Sequence, residues 1–414
     1  MKIKVADYIV ELLRINGASN IFLVPGGGNM HLTDAVKRNK KIKYLSFFHE
    51  QSASIAAESY SRSKSKLGVA LVTSGPGSTN AITGVAGAWI ESVPLVVISG
   101  QVKTQDIKNN PKIRQNGPQE VDITSLVKKI TKYSITIKKT KDIVKIIKKG
   151  ITQAISLRKG PVWIDLPLDI QGSIINIKKK DLKKIQKRKK KYFFPKKRIL
   201  DLLKKSKKPI ILAGHGVRLS EASREFRSLI KKTGIPFMTT WNCIDLVEFK
   251  HNKNLGSPGV VARRNSNISI QLSDLIICIG TSLNKVITAF NEKNFGFNAK
   301  KIIVDIDKDQ LNKVKIPNSL KIQADAKNFI NYLISNVKKT NRYNRWSKDC
   351  LNLKLKFEDE MLVRKKNKKI INHYECVEAI SKALKEGDNV STGSSGLAIE
   401  IFYTFFKSKR NQRV

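Results

Sequence analysis

Acidic residues are scarce. Only 33 Asp and Glu stand against 79 Lys and Arg, for a formal net charge of +46. An excess of this sign raises the question of a nucleic-acid partner. The basic residues, however, are spread over nearly every helix and loop, with local density in IKKKDLKKIQKRKKKYFFPKKR (177–198). Aromatic residues interleave that run only at Tyr192, Phe193 and Phe194, so base-stacking platforms are missing. The charge is read as solvated surface, and no specific nucleic-acid partner is expected. Cysteine is equally sparse: Cys243, Cys278, Cys350 and Cys376 lie far apart with no CxxC pair. Neither a zinc site nor a disulfide framework is indicated. No apolar run approaches the ~20 residues of a membrane span. The opening MKIKVADYIVELLRING interrupts its apolar residues with charge at helical spacing and lacks a signal-peptide core. A cytoplasmic protein without membrane contact is expected.

The 41% hydrophobic content supplies ample core, and 414 residues exceed one domain at ~150 residues each. Residues 1–172 alternate apolar strands (IFLVPG, KYLSFF, GVALVTS, PLVVISG, PVWIDLP) with amphipathic helices. Continuous apolar strands between such helices predict a parallel sheet covered on both faces. Residues 173–195 are Lys-rich and read as a linker. A second βα series, with strands PIILAG, PFMTT, DLIICIG, KIIVDID and one near KIQAD, spans 196–338. Residues 339–414 supply three helical patterns and one strand, DNVST, too little to close a sheet. The expected fold class is α/β: two doubly wound parallel-sheet domains plus an incomplete third α/β domain, truncated in this chain.

Three turns at predicted strand ends draw attention. They are Val24-Pro25-Gly26-Gly27-Gly28, His49-Glu50-Gln51, and Thr73-Ser74-Gly75-Pro76-Gly77 with Asn80. Glycines permit close backbone approach, and ligands of open α/β sheets sit at the carboxyl ends of strands. If the strands are neighbours, these turns line one crevice holding a single carboxylate, Glu50. A carboxyl group partly shielded from water is suited to trading a proton with a ligand. The alternative is a plain helix-start acid favoured by the dipole. PGGGN is not GxGxxG and SGPGSTN is not GxxxxGK[ST]. With no basic side chain in either turn, the crevice suits a neutral or weakly basic heterocycle. His49 is expected to face away from Glu50, and His215 in AGHG reads as structural. Ser394 and Ser395 have no evident base beside them.

The order VPGGG, HEQSASIAAESYSR, then GVALVTSGPGSTNAITGVAGAWIESVPLVVISGQV resembles the pyrimidine-binding domain of thiamine diphosphate-dependent enzymes, specifically acetolactate synthase large subunits. GPQEVDITSLVKKITKYSITI, KGPVWIDLPLDIQ, GSPGVVARRN, LSDLIICIGTSLN and KKIIVDIDKDQLNK fit the same family in the same order. The resemblance implies that Glu50 hydrogen-bonds the cofactor's aminopyrimidine and drives its imino tautomer, which deprotonates the thiazolium carbon. It places Pro25, Gly26, Thr73, Gly75, Pro76 and Asn80 at the cofactor. Gly27, Gln115 and Gln119 fall in the neighbouring substrate channel. It further implies Mg²⁺ held by a GDG motif, which this chain does not contain. Leu397 stands where synthases often place a His near the phosphates. Thr152 stands where acetolactate synthases carry an arginine against flavin, so FAD is not implied.

The resemblance thus implies a thiamine diphosphate-dependent 2-oxo acid decarboxylating carboligase that needs a missing C-terminal half. That half would come from a separately encoded diphosphate-domain chain or from sequence beyond this chain, and the expected partners are a homo-oligomer (dimer or tetramer) or that separate chain. The substrate would be a small 2-oxo acid such as pyruvate. The alternative is a non-catalytic or degenerate chain that keeps the fold and dimer surface.

Overall fold

The strand runs read from the sequence assemble into two separate parallel sheets. The computed structural model describes residues 1–110, 112–188, 190–362, 371–393 and 395–414. Its two units are Met1–Lys190 and Lys191–Val414.

In the first unit the strands are β1 (Lys2–Lys4), β2 (Asn20–Leu23), β3 (Lys43–Ser46), β4 (Gly68–Val72), β5 (Leu95–Gln101), β6 (Tyr133–Thr136), β7 (Pro161–Pro167) and β8 (Ile174–Asn176). The helices are α1 (Val5–Ile15), α2 (Met30–Arg38), α3 (Glu50–Lys64), α4 (Pro76–Asn80), α5 (Ile82–Ile90), α6 (Ile123–Leu126), α7 (Ile143–Ile155) and α8 (Leu168–Gly172). Six strands form one parallel sheet in the order β3-β2-β4-β5-β7-β6. β4, β5 and β7 are buried along their whole length, which is why they read as unbroken apolar runs. Alternate side chains enter two cores. Ile21, Leu71, Val96 and Ile164 meet α1, α2 and α7; Phe22, Ala70, Val97 and Trp163 meet α3 and α5.

The chain leaves β2 toward β3 on one side, and β4 lies on the other. This reversal is the topological switch point, where open α/β sheets form a ligand crevice. The turns after β2 and β4 flank it, and the turn after β3 is next to it. The Ser- and Ala-rich composition of α3 has a steric cause. A Cβ on Gly84 of α5 would strike Ser54, and one on Gly68 of β4 would strike the carbonyl of Ala57. Only small residues let α3 settle this close.

The stretch read as a linker is tied to the first unit at its start. β8 pairs antiparallel with β1, Ile177 is buried, and Leu182 and Ile185 pack on the same core. Intervening lysines disguise these apolar contacts in the sequence. Tyr192 and Phe194 pack instead on the core of the second unit.

The second unit carries β9 (Pro209–Ala213), β10 (Phe237–Thr239), β11 (Leu275–Ile279), β12 (Lys300–Asp305) and β13 (Ser319–Gln323). They form a parallel sheet in the order β10-β9-β11-β12-β13. Residues 339–414 belong to this unit by their contacts. Trp346 and Cys350, on the helix Asn344–Leu362, enter its core, and Trp346 Nε1 donates to the carbonyl of Pro209 at 3.0 Å. The strand expected at DNVST is reduced to one bridge, Asn389 to Arg413. Ser394 and the side chain of Leu397 lie outside the described residues. Among the described residues no helix is long and apolar enough to cross a membrane.

Gly100, near the end of β5, is pressed against the turn after β2. A Cβ there would run into the carbonyl of Gly28. Gly100→Ala is expected to cost about 1–3 kcal/mol by overpacking. Gly27→Ala, whose added methyl meets open space, should stay within about 0.5 kcal/mol of the parent. Urea unfolding of the two variants checks this; equal midpoints would contradict the tight seat at Gly100.

Candidate functional site

Glu50 is the first residue of α3. His49 precedes it in extended conformation and its Nδ1 accepts from the Gln51 amide at 3.1 Å. The histidine is therefore the helix cap, which accounts for its place in the motif without a catalytic role. Glu50 follows with its carboxylate at the positive end of a 15-residue helix. Asn80, at the end of α4, donates from Nδ2 to Glu50 Oε2 at 3.0 Å. The side of Oε1 is lined by Gly77, where a Cβ would sit 3.1 Å from Oε1 and 2.6 Å from Thr73 Cγ2. That missing Cβ keeps space open beside the carboxylate.

The turn after β2 meets the turn after β4 through Thr73. The Gly28 amide donates to Thr73 Oγ1 at 3.1 Å, and a Cβ on Gly26 would come within 2.7 Å of Thr73 Cβ. Asn29 stiffens the first turn from within, accepting from the Gly26 amide at 2.9 Å and donating to the Val24 carbonyl at 3.0 Å. Gln171 holds it from below: its Nε2 donates to the carbonyls of Gly28 at 2.7 Å and Leu166 at 2.8 Å. Gly75 has φ +60°, a conformation open to glycine, and the space a Cβ would need is taken by the carbonyl of Gln119.

Gly26, Glu50, Thr73, Gly75, Asn80 and Gln119 thus come together, and Gly77, read from the sequence only as part of its turn, lies beside the carboxylate. Pro25, Gly27 and Pro76 lie exposed in the same turns. Gln115 is exposed on the stretch after β5. Glu50 itself is half-buried, less shielded than its strand-to-helix position suggests. The reason is β3, an edge strand with all four residues exposed, followed by fully exposed Phe48. His215 Nδ1 contacts the carbonyl of Asn242 at 3.2 Å in the second unit. Thr152 turns its hydroxyl back to the carbonyl of Lys148 at 2.7 Å within α7. Among the described residues no cluster of three His, Cys, Asp or Glu could hold a metal ion.

Two acids near the crevice escaped the sequence reading. Glu120 is buried and accepts from the amides of Lys108 (2.8 Å), Asn116 (2.7 Å) and Gly117 (3.3 Å). Burial pushes its carboxyl up, but those three amides outweigh burial and hold it below the usual carboxylate range. Asp165 on β7 is wholly buried. It accepts from Ser99 Oγ at 2.6 Å, Gln101 Nε2 at 2.9 Å and Thr136 Oγ1 at 3.1 Å. Burial dominates here and pushes its carboxyl up to about 7 against the pull of these donors.

Comparison with known families is consistent with this geometry. The thiamine pyrophosphate enzyme N-terminal TPP binding domain matches residues 3–126, and the central domain of the same enzymes matches 197–333. The acetolactate synthase large subunit of Buchnera aphidicola (Schizaphis graminum) is 32% identical over 98% of this chain and 71% of its own length. That of Lactococcus lactis is 32% identical over 83% of this chain and 59% of its own. Acetolactate synthase isozyme 2 large subunit of Escherichia coli is 31% identical, over 84% and 61%. The chain thus spans less than two thirds of the latter two.

Asp165 binds its proton more tightly in the fold than in the unfolded chain, where the usual value is 3.8. Its contribution to stability is therefore complete below about pH 4 and is lost as pH rises toward about 7. Asp165→Asn has no such titration. The difference in urea midpoint between parent and Asp165→Asn should shift against the parent between pH 4.5 and 7.5; a pH-independent difference would show that Asp165 stays ionised throughout.

Proposed function

Since the chain belongs to the thiamine pyrophosphate enzyme family, with acetolactate synthase large subunits among its relatives, we propose that its crevice binds the aminopyrimidine end of thiamine diphosphate and serves an acetolactate synthase-like decarboxylating carboligation of a small 2-oxo acid. The observation that carries this reading is the open space beside Glu50: one carboxylate oxygen faces a glycine and the other is held by Asn80. A Cβ at residue 77 would fill the place a planar ring needs. Thiamine diphosphate supplies a stabilised carbanion when bound. Glu50's task is to hold or release a proton at a ring nitrogen. Asn80 fixes the carboxylate's orientation, and the paired turns around Thr73 exclude water from one side.

The diphosphate and its Mg²⁺ are assigned to residues outside this sequence, which contains no GDG motif, carried by a partner chain. The surface around Glu50 supports a partner: Tyr44, Leu45, Phe48 and Ile55 are exposed apolar residues on and beside the edge strand. A cytoplasmic setting fits small soluble substrates. FAD has no assigned place in this reading.

Two variants test the reading in protein reconstituted with a diphosphate-binding partner chain, with thiamine diphosphate and Mg²⁺ present. Gly77→Val should abolish cofactor binding in equilibrium dialysis while the fold is kept. Glu50→Gln should still bind, yet slow hydrogen–deuterium exchange at the thiazolium carbon by about 10²–10⁴-fold, the usual worth of a positioned acid–base group. Unchanged exchange in cofactor-loaded Glu50→Gln protein removes Glu50 from the proposal. Acetolactate formation from pyruvate then tests the substrate.

A further inference from the structure

β5 ends at Gln101 and β7 carries Asp165, and the two strands are paired in parallel register with Ser99 opposite Asp165. Ser99, Gln101 and Asp165 are all buried. The Gln101 amide is held at both ends by the backbone. Its Oε1 accepts from the Val102 amide at 2.9 Å, and its Nε2 donates to the carbonyl of Val121 at 3.0 Å. These two groups, one on the way out of β5 and the other on the way into α6, meet at one side chain. They also fix its polarity: an N–H group at Val102 demands the oxygen, and a carbonyl at Val121 demands the nitrogen. The second N–H of Nε2 must then find an acceptor inside the sheet. Asp165 Oδ2 is that acceptor, at 2.9 Å. An unanswered donor at a buried place costs about 1–3 kcal/mol.

We propose that Asp165 is a positioning residue: as a buried acceptor it orients the Gln101 amide, which ties Val102 to Val121 and so seats Gln119 against Gly75. Gln119 lies two residues before Val121, with φ +60° and its carbonyl in the space beside Gly75. The meaning of that seat for chemistry rests on the cofactor reading above. The latch itself rests on hydrogen bonds alone. Ser99 and Thr136 complete the acceptor's shell, and Trp163 Nε1 at 2.8 Å from Ser99 Oγ holds the serine in turn. The charged group acting on Asp165 from the elements packed over it is Asp122, which caps α6.

Gln101→Glu keeps the shape and reverses the polarity. A carboxylate oxygen would then face both the Val121 carbonyl and Asp165. Amide hydrogen exchange of residues 102–106 and 116–122, read by mass spectrometry without cofactor, is expected to quicken at least tenfold at pH 8. It should slow again toward the parent rate near pH 5.5, after correction for intrinsic rates, as the two carboxyls come to share a proton. A side chain that only filled space would show no such pH profile. Asp165→Ala should open the same residues, and the double variant should be no faster than either single one. Unchanged exchange of these residues in folded Gln101→Glu protein overturns the proposal, whether or not Asp165→Ala folds. So does an additive effect in the double variant. Because no cofactor enters this measurement, a closed latch would leave the role of Glu50 untouched, and an inert Glu50 would leave the latch standing.

Discussion

The placement of one helix governs everything else at the crevice. α3 begins with Glu50 and can lie against β4 and α5 only because Gly68 and Gly84 have no side chains and Ser54 and Ala57 have small ones. A larger residue at any of these positions would lift the helix and carry Glu50 away from Gly77. The strand order does the rest. With β2 between β3 and β4, three turns distant in sequence become neighbours at the carboxyl edge of the sheet, and the carboxylate lands between two glycine turns.

Those turns are rigid before any ligand arrives. Asn29 closes the first on itself, Gln171 and Gly100 support it from the sheet side, and Thr73 joins it to the second. Fixed polar groups around a reacting atom need little reorganisation, which is where much of an enzyme's advantage arises. The two sequence readings of Glu50, helix-start acid and proton-trading acid, are not rivals in this setting. It is the first helical residue, so the helix end and the Asn80 amide both face its carboxylate. The glycine side leaves room for a ligand to do the same.

What could be read from the residues and what could not divide along a physical line. Strands buried on both faces announce themselves, because every residue of GVALV or PVWIDLP must be compatible with a core. Turns announce their glycines. Adjacency is another matter: that the turns share a crevice depends on sheet order, which no local pattern encodes, although the family resemblance supplied it. Asp165 stayed hidden for the same reason. It reads as a lone acid in an apolar strand, and its partners Thr136, Gln101 and Ser99 are 29, 64 and 66 residues away. Ile175 and Ile177 were masked differently, by lysines that dominate the composition while these isoleucines make the contacts. At 388–392 the alternation suggested a strand, but its only paired residue meets Arg413, so there is no ladder to extend.

The lysine excess poses a last question, since 33 acids cannot neutralise 79 bases. The fold's answer is to use the backbone. Lys132 donates to the carbonyl of Ser156 just past α7, Lys321 to that of Val314, and buried Lys354 to those of Phe249 and Asn254. Carbonyls at helix ends and loops are otherwise short of donors, so an ammonium group there satisfies the chain while remaining charged. Some acids are held in ion pairs, such as Glu58 with Arg62 and Asp245 with Arg218 and Arg413, and others serve the backbone in turn. Glu120 gathers three loop amides, Asp274 accepts from the amides of Lys207 and Lys208, and Asp325 caps the helix Ala326–Asn336. Lys301 marks the limit of this arrangement. Its Nζ is buried with no hydrogen-bond partner among the described residues, and burial pulls its pKa down, toward the neutral amine. A basic composition is therefore tolerated where a lysine stem can reach a carbonyl. Where it cannot, the charge itself becomes the costly element. Surface ion pairs would be a poor substitute, being worth little and screened by salt, whereas the charge-to-backbone bonds lie largely inside the fold and keep their strength.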